Sequence, residues 1–230
     1  MLNPKSKSGL LEIFETKDGS NSLRNTISGD TYHSVHGAMG ESQHVFVQNG
    51  LMKAFEQKTD LIKILELGFG TGLNALLCLK ESIQQQRLVE YHSLEKYPVT
   101  EEIYSNLDFH NTAELREFHS EYLQLHTSPW DLGIRLRHHF SFTKYLIDFV
   151  DYRPSGQYDV IFHDAFAPDS HPEVWKEDFL TKCYQWLADD GFLITYCAKG
   201  SFKRALKDVG FVVESLPGPP GKREITRAFR

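Results

Sequence analysis

"LELGFGTGLN", residues 65–74, follows the apolar run "LIKI" and sets Gly68, Gly70 and Gly72 at alternate positions ahead of a leucine-rich stretch. Apolar run, glycine turn and amphipathic segment read in that order as strand, loop and helix, the opening unit of a nucleotide-binding α/β fold. Glycines there let the backbone approach a ligand, and the helix start aims amide N–H groups at it. Dinucleotide folds space these glycines G-x-G-x-x-G, whereas here the spacing is G-x-G-x-G and an acid, Glu66, sits inside the strand end. A carboxylate beside a pyrophosphate is unfavourable. S-adenosylmethionine has no phosphate and carries an ammonium and a sulfonium, so spacing and charge point to a methyl donor.

Outward from this unit, short β-rich runs alternate with helical patterns, as in a parallel sheet with crossover helices. The runs are 61–67, 90–96, 133–139 ("GIRLRHH"), 158–164, 191–197, 210–216 and 223–229. Only "PGPPGK" separates the last two, too short for a crossover helix, so they form an antiparallel hairpin at the sheet edge. The expected architecture is a Rossmann-like α/β sheet of seven strands, six parallel and one antiparallel. Helices are predicted over 73–84, where Leu73, Leu76, Leu77, Leu79 and Ile83 share a side, over 112–126 with Thr112 as cap, and over 172–187 with Pro172 at its start. Before residue 60 the chain reads as an Asp18-Gly19 turn between extended segments and a helix over 41–55, a small extension (1–59) to the main domain (60–230).

With 230 residues, 40% of them hydrophobic, the chain has material for one substantial core. It shows no secretory leader and no run near the ~20 apolar residues of a membrane span, so a cytoplasmic protein is expected. Cys78, Cys183 and Cys197 lie far apart and fit reduced thiols. The net charge of −6 disfavours indiscriminate nucleic-acid binding, but residues 199–230 hold eight Lys or Arg against three acids, a local +5.

Glu95, 23 residues after Gly72, ends the second strand, where an acid accepts hydrogen bonds from ribose hydroxyls in either nucleotide-binding fold. After the fourth strand comes "HDAFAPDSHPEVW" (163–175). Ligands of open α/β sheets bind outside the carboxyl ends of the strands, which places Asp164, Phe166 and Pro168 toward the reacting methyl group. Asp164 has an acceptor for an amine and Phe166 a flat face for a base. The histidines, including His33 with His36 and His138 with His139, lack a carboxylate or cysteine set with metal-ligand spacing, and no metal is expected.

Taken together, "GDTYHSVHGAMGESQHVFVQNGL", "ILELGFGTGLNALL", "HDAFAPDSHPEVW", "TYCAKGSFKRALKDVGF" and "PGPPGKREITRAF" resemble, in this order, the methyltransferase half of the bifunctional enzymes that make 5-methylaminomethyl-2-thiouridine in tRNA. The resemblance runs from about Asp30 to Phe229, and "DAFAP" and "PGPPGKRE" are its most specific segments. It implies a class I S-adenosylmethionine-dependent methyltransferase that methylates the exocyclic amine of 5-aminomethyl-2-thiouridine at the wobble position. In two-part relatives an FAD-dependent oxidase domain follows. The chain reads to Arg230 without a second glycine-rich dinucleotide motif, so the expectation is a stand-alone methyltransferase without FAD, supplied with its aminomethyl substrate by a separate enzyme.

Carried over by position, Glu66, Gly68, Phe69, Gly70, Gly72 and Asn74 form the cofactor loop, with Glu95 on the ribose, Lys96 beside it, and Asp164 and Phe166 facing the reaction. Tyr32, Glu41 and Ser42 help close the pocket. After the third strand the family often has a Gly-Asp pair near the adenine. This chain reads "RHHFSFTKYL" there, leaving Ser141 or Phe142 as candidates. Lys199, Lys203, Arg204, Lys222 and Arg223 are expected on anticodon-stem phosphates. Other readings fit the same residues: a methyltransferase for a small amine or metabolite, in keeping with the acidity, a nucleoside-binding module, or a nicotinamide-dependent reductase, which the glycine spacing and Glu66 disfavour.

Overall fold

The structure, a computed structural model, describes residues 11–109 and 112–230. Strands β1 (Leu11–Glu15) and β2 (Asn21–Asn25) pair antiparallel across the Asp18-Gly19 turn, with Gly19 at φ +82°. The first ten residues of the expected extension lie outside the described ones. A continuous helical stretch, α1, follows: an α-turn at Ala38–Ser42, a π-helical segment at Gln43–Leu51 and an α-helical end at Met52–Gln57. Asn49 donates its side-chain amide to the His44 carbonyl at 2.8 Å inside the widened turns.

The main sheet is built from β3 (Ile62–Leu67), β4 (Val89–Glu95), β5 (Ile134–Arg137), β6 (Phe140–Leu146), β7 (Tyr158–His163), β8 (Leu187–Thr195), β9 (Val212–Pro217) and β10 (Glu224–Phe229). Their spatial order is β5-β6-β4-β3-β7-β8-β10-β9. Pairs β6/β4, β4/β3, β3/β7 and β7/β8 are parallel, while β10 is antiparallel to both β8 and β9. The edge hairpin is therefore as expected, with β10 inserted between β8 and β9.

The strand count is eight, not seven. Run 133–139 is the antiparallel edge strand β5, joined to β6 by a two-residue turn at His138–His139, and β6 occupies the parallel place beside β4. That turn contains neither Gly nor Asn, the residues that announce a tight hairpin, so the sequence reading runs the strand through it to 139 and leaves β6 unassigned.

The crossover helices are α2 (Leu73–Gln84), short α3 (Glu101–Tyr104), α4 (His119–Thr127), α5 (Glu177–Trp186) and α6 (Gly200–Val209). Helix 73–84 has the predicted bounds. The one predicted from Thr112 begins at His119, because Leu115 and Phe118 bury themselves through a 3₁₀ turn and Thr112 donates to the Phe109 carbonyl instead of capping. The one predicted from Pro172 breaks at Lys176, where backbone φ −95° and ψ 159° separate a 3₁₀ turn from α5. Trp175 holds the break by donating its indole N–H to the Phe166 carbonyl at 2.9 Å.

Neighbouring residues on β3 fall into opposite apolar layers: Ile62 and Ile64 with Phe46, Tyr91 and Phe162, and Leu65 and Leu67 with Ile161, Trp186 and Leu193. Both faces of the sheet are thus covered, as parallel strands require. Among the described residues no helix is long and apolar enough to cross a membrane. All three cysteines are buried free thiols.

Candidate active site

Where β3 ends the chain turns sharply, with Gly68, Gly70 and Gly72 at φ +104°, +51° and +74°. A Cβ on Gly68 would meet the Asp164 carbonyl at 2.9 Å, so the loop lies directly on the carboxyl end of β7. The loop amides are spent internally. Gly68 and Phe69 donate to the Leu94 carbonyl, Gly72 to the Phe69 carbonyl, and Gly70 to Glu95 Oε2 at 3.1 Å. These four N–H groups are not left for a phosphate, consistent with the non-phosphate ligand read from Glu66.

Above the loop opens a cavity of about 470 Å³. Of the residues expected at a site, Gly68, Phe69, Gly70, Asn74, Glu95, Lys96, Asp164, Phe166, Tyr32 and Glu41 line it. Glu95 accepts a second backbone bond from Tyr97 N–H at 2.6 Å, and Lys96 pairs with Asp148. Phe166 meets the Tyr32 ring edge-on at 5.0 Å, forming an aromatic wall.

Glu66 lies beneath the cavity, 1% exposed. Asn74 Nδ2 donates to Glu66 Oε1 at 3.0 Å and to Asp164 Oδ2 at 2.8 Å, and Ser93 Oγ donates to Glu66 Oε2 at 2.6 Å. Burial pushes the Glu66 carboxyl up to about 8 despite these donors. Burial, followed by the charges of Glu66 and Glu41, holds Asp164 well above the carboxylate range, and burial also raises Glu95. Acids crowded in this way are relieved by a ligand carrying fixed positive charge. An ammonium and a sulfonium fit that need.

Other expected residues are elsewhere. Gly72 forms the left-handed start of α2, its Cα facing His126 and Phe69 rather than the cavity. Ser42 is 1% exposed within α1. Pro168 turns outward to a separate shallow groove with Trp175 and Phe202. Ser141 and Phe142 lie within β6, not beyond it: Ser141 donates to the Val89 carbonyl and Phe142 packs on Phe69 and Tyr91. The true end of β6 leads to Ile147-Asp148-Phe149, and Phe149 lines the cavity.

Of the basic residues, Arg204 and Arg223 are exposed and Lys199 pairs with exposed Asp169. Lys203 is bound to Glu224 and Ser215, tying α6 to the hairpin. Lys222 lines the cavity, since the Gly221 turn (φ +87°) packs on His36 and points it inward to buried Glu41. Sequence reading missed His33, Phe149, His171 and Tyr196 at the cavity wall. His33, His171 and Tyr196 lie inside the quoted segments but carry no chemical signature there, and Phe149 lies outside them; only the meeting of distant segments brings the four together.

A mixed sheet in this order, with a glycine loop that spends its amides internally beside an acid-lined cavity, defines an S-adenosylmethionine-dependent methyltransferase. The chain belongs to the S-adenosyl-L-methionine-dependent methyltransferase family whose model matches residues 109–230. It is similar to the tRNA 5-methylaminomethyl-2-thiouridine biosynthesis bifunctional protein MnmC of Cupriavidus necator (30% identity over 212 residues) and of Leptospira borgpetersenii (31% over 210). These alignments cover 86% and 85% of the chain but 31% of each relative, so the chain spans about a third of the length of the curated relatives it matches. It is also similar to the solved structure of MNMC2 from Aquifex aeolicus: 31% identity, TM-score 0.76, 95% of this chain and 69% of that one.

Proposed function

We propose that the protein transfers the methyl group of S-adenosylmethionine to the exocyclic amine of 5-aminomethyl-2-thiouridine at the tRNA wobble position, giving 5-methylaminomethyl-2-thiouridine. The observation that carries this reading is the similarity, over 86% of the chain, to the 5-methylaminomethyl-2-thiouridine biosynthesis protein MnmC, together with that to MNMC2 across 95% of the chain. When bound, S-adenosylmethionine supplies a methyl group already activated by its positive sulfur, so the protein's work is binding, positioning and proton management. Neither a metal nor FAD has a part in this reading, and a separate enzyme provides the aminomethyl group.

A primary alkylamine has a solution pKa of about 10 and is mostly protonated at neutral pH. Asn74 occupies Oδ2 of Asp164 and leaves Oδ1 to accept an amine N–H, which aims the nitrogen lone pair across the cavity. Phe166 and Tyr32 give the base a flat wall. Glu95, held by two backbone amides, is preorganised for ribose hydroxyls. Gly68, Phe69, Gly70 and Asn74 complete the cofactor side, with Glu66, Gly72 and Ser42 supporting from beneath, and the segment before residue 60 closes the cavity through Tyr32 and Glu41. Arg204, Arg223 and Lys199 contact anticodon-stem phosphates.

The test compares acceptors: labelled S-adenosylmethionine is offered with intact tRNA that carries 5-aminomethyl-2-thiouridine at the wobble position, with the same tRNA digested to nucleosides, and with a panel of small amines. Label entering intact tRNA well ahead of the others is expected. Efficient methylation of a small amine with tRNA left unlabelled would replace this reading by a metabolite methyltransferase.

A further inference from the structure

Lys222 and Glu41 come from opposite ends of the chain, one from the turn between β9 and β10 and the other from the start of α1, and meet inside the cavity wall. Glu41 is 7% exposed. Its Oε2 accepts from Ser34 N–H at 2.7 Å, while Oε1 lies 2.5 Å from the Lys222 ammonium and has no aligned hydrogen-bond donor among the described residues. Lys222 Nζ stands 3.9 Å over the centroid of the Tyr196 ring, which is fixed by its hydroxyl donating to the Ala165 carbonyl at 2.8 Å. Both charges are close enough to act on Asp164. A buried ion pair is costly to desolvate, so its presence in a cavity wall calls for a ligand that uses it. Its two faces offer a ligand one donor and one acceptor side by side.

We propose that the Lys222–Glu41 pair is a specificity-determining element that reads the pyrimidine edge, Lys222 donating to O4 and Glu41 accepting from N3–H. The inference rests on the uridine reading above. In a 5-substituted uracil the substituent is flanked by O4, and N3–H comes next along the edge. With the 5-aminomethyl nitrogen at Asp164, O4 therefore falls toward Lys222 and N3–H toward Glu41. Cytosine reverses both polarities, setting its N4 amine against the ammonium and its N3 lone pair against the carboxylate, and so is rejected by repulsion as well as by lost bonds.

The experiment is a chemical double-mutant cycle on synthetic anticodon stem-loops carrying 5-aminomethyluridine or its analogue without O4 at the wobble position. For the wild type, kcat/KM should fall roughly 10- to 100-fold on the analogue, the scale of a charge-assisted hydrogen bond. Lys222→Met should lose a similar factor on the parent and little more on the analogue, with S-adenosylhomocysteine affinity retained as proof of folding. Glu41→Gln gives a second arm: wild type and variant should converge on a base whose N3 is blocked by a methyl group. Losses that multiply independently in both arms overturn the pair's role while leaving the uridine reading intact. A wild type that methylates neither stem-loop overturns both.

Discussion

Asn74 divides one side-chain amide between two carboxyls that burial holds well above the ordinary carboxylate range. Asp164→Asn keeps the shape but removes the acceptor charge. Steady-state kinetics should show kcat down by roughly 10²–10⁴, the range of lost general acid–base assistance, with S-adenosylhomocysteine affinity changed far less. Equal losses in turnover and cofactor affinity would make Asp164 a cofactor ligand first. Glu66 titrates with the fold: its carboxyl is raised from an ordinary value near 4.5 to about 8, so the folded state favours the proton. That contribution is fully present below about pH 4.5 and is lost as pH rises through about 8. Glu66→Gln should therefore flatten the fall in stability of the free protein between these values, a change on the order of a few kcal/mol in denaturant titrations at the two extremes. An unchanged pH slope would show that Glu66 is ionised in the free protein.

At the level of elements, α1 lies so close to the sheet that a Cβ on Gly50 would sit 2.8 Å from Phe162 Cε1 and 3.3 Å from Ile194 Cγ2. Gly50→Ala should cost about 1–3 kcal/mol, read from the denaturation midpoint, by overpacking that contact. An unaltered midpoint would mean that the helix rides freely on β7 and β8. This contact also marks where sequence reading stops. The strand-loop-helix unit at 62–84 was legible because leucine spacing, three glycines and an apolar strand all agreed within twenty-odd residues. The π-helical widening at 43–51 left no trace in periodicity. The third run reads as 133–139, so β6 at 140–146 passes for the segment after the strand and its true end, with Phe149 and the cavity wall beyond, is missed. Lys222 was legible as a charge but not as a direction, since the packing of Gly221 on His36 decides where it points.

On the scale of the whole molecule, the proposed function requires a chain of net charge −6 to meet a polyanion through a local basic patch. Lys203 and Lys222 are bound within the protein, so in the proposed reading the charges turned to phosphates are chiefly Arg204 and Arg223. Reversing both to Glu should raise KM for tRNA at least several-fold and flatten the salt dependence of binding, leaving S-adenosylhomocysteine affinity nearly unchanged. Retention of the wild-type KM and salt slope would move the RNA surface elsewhere. Only a loop base, already weakly stacked, need enter the cavity, so modest backbone contact suffices. The central claim, methyl transfer to the wobble amine, is tested most directly by incubating the protein with labelled S-adenosylmethionine and bulk tRNA from cells that lack only the methyl-transfer step and so keep 5-aminomethyl-2-thiouridine, then digesting the tRNA and identifying the labelled nucleoside. The account predicts label in 5-methylaminomethyl-2-thiouridine at the wobble position and in no other nucleoside; label on a different nucleoside, or none in tRNA from a protein that binds S-adenosylhomocysteine, would contradict it.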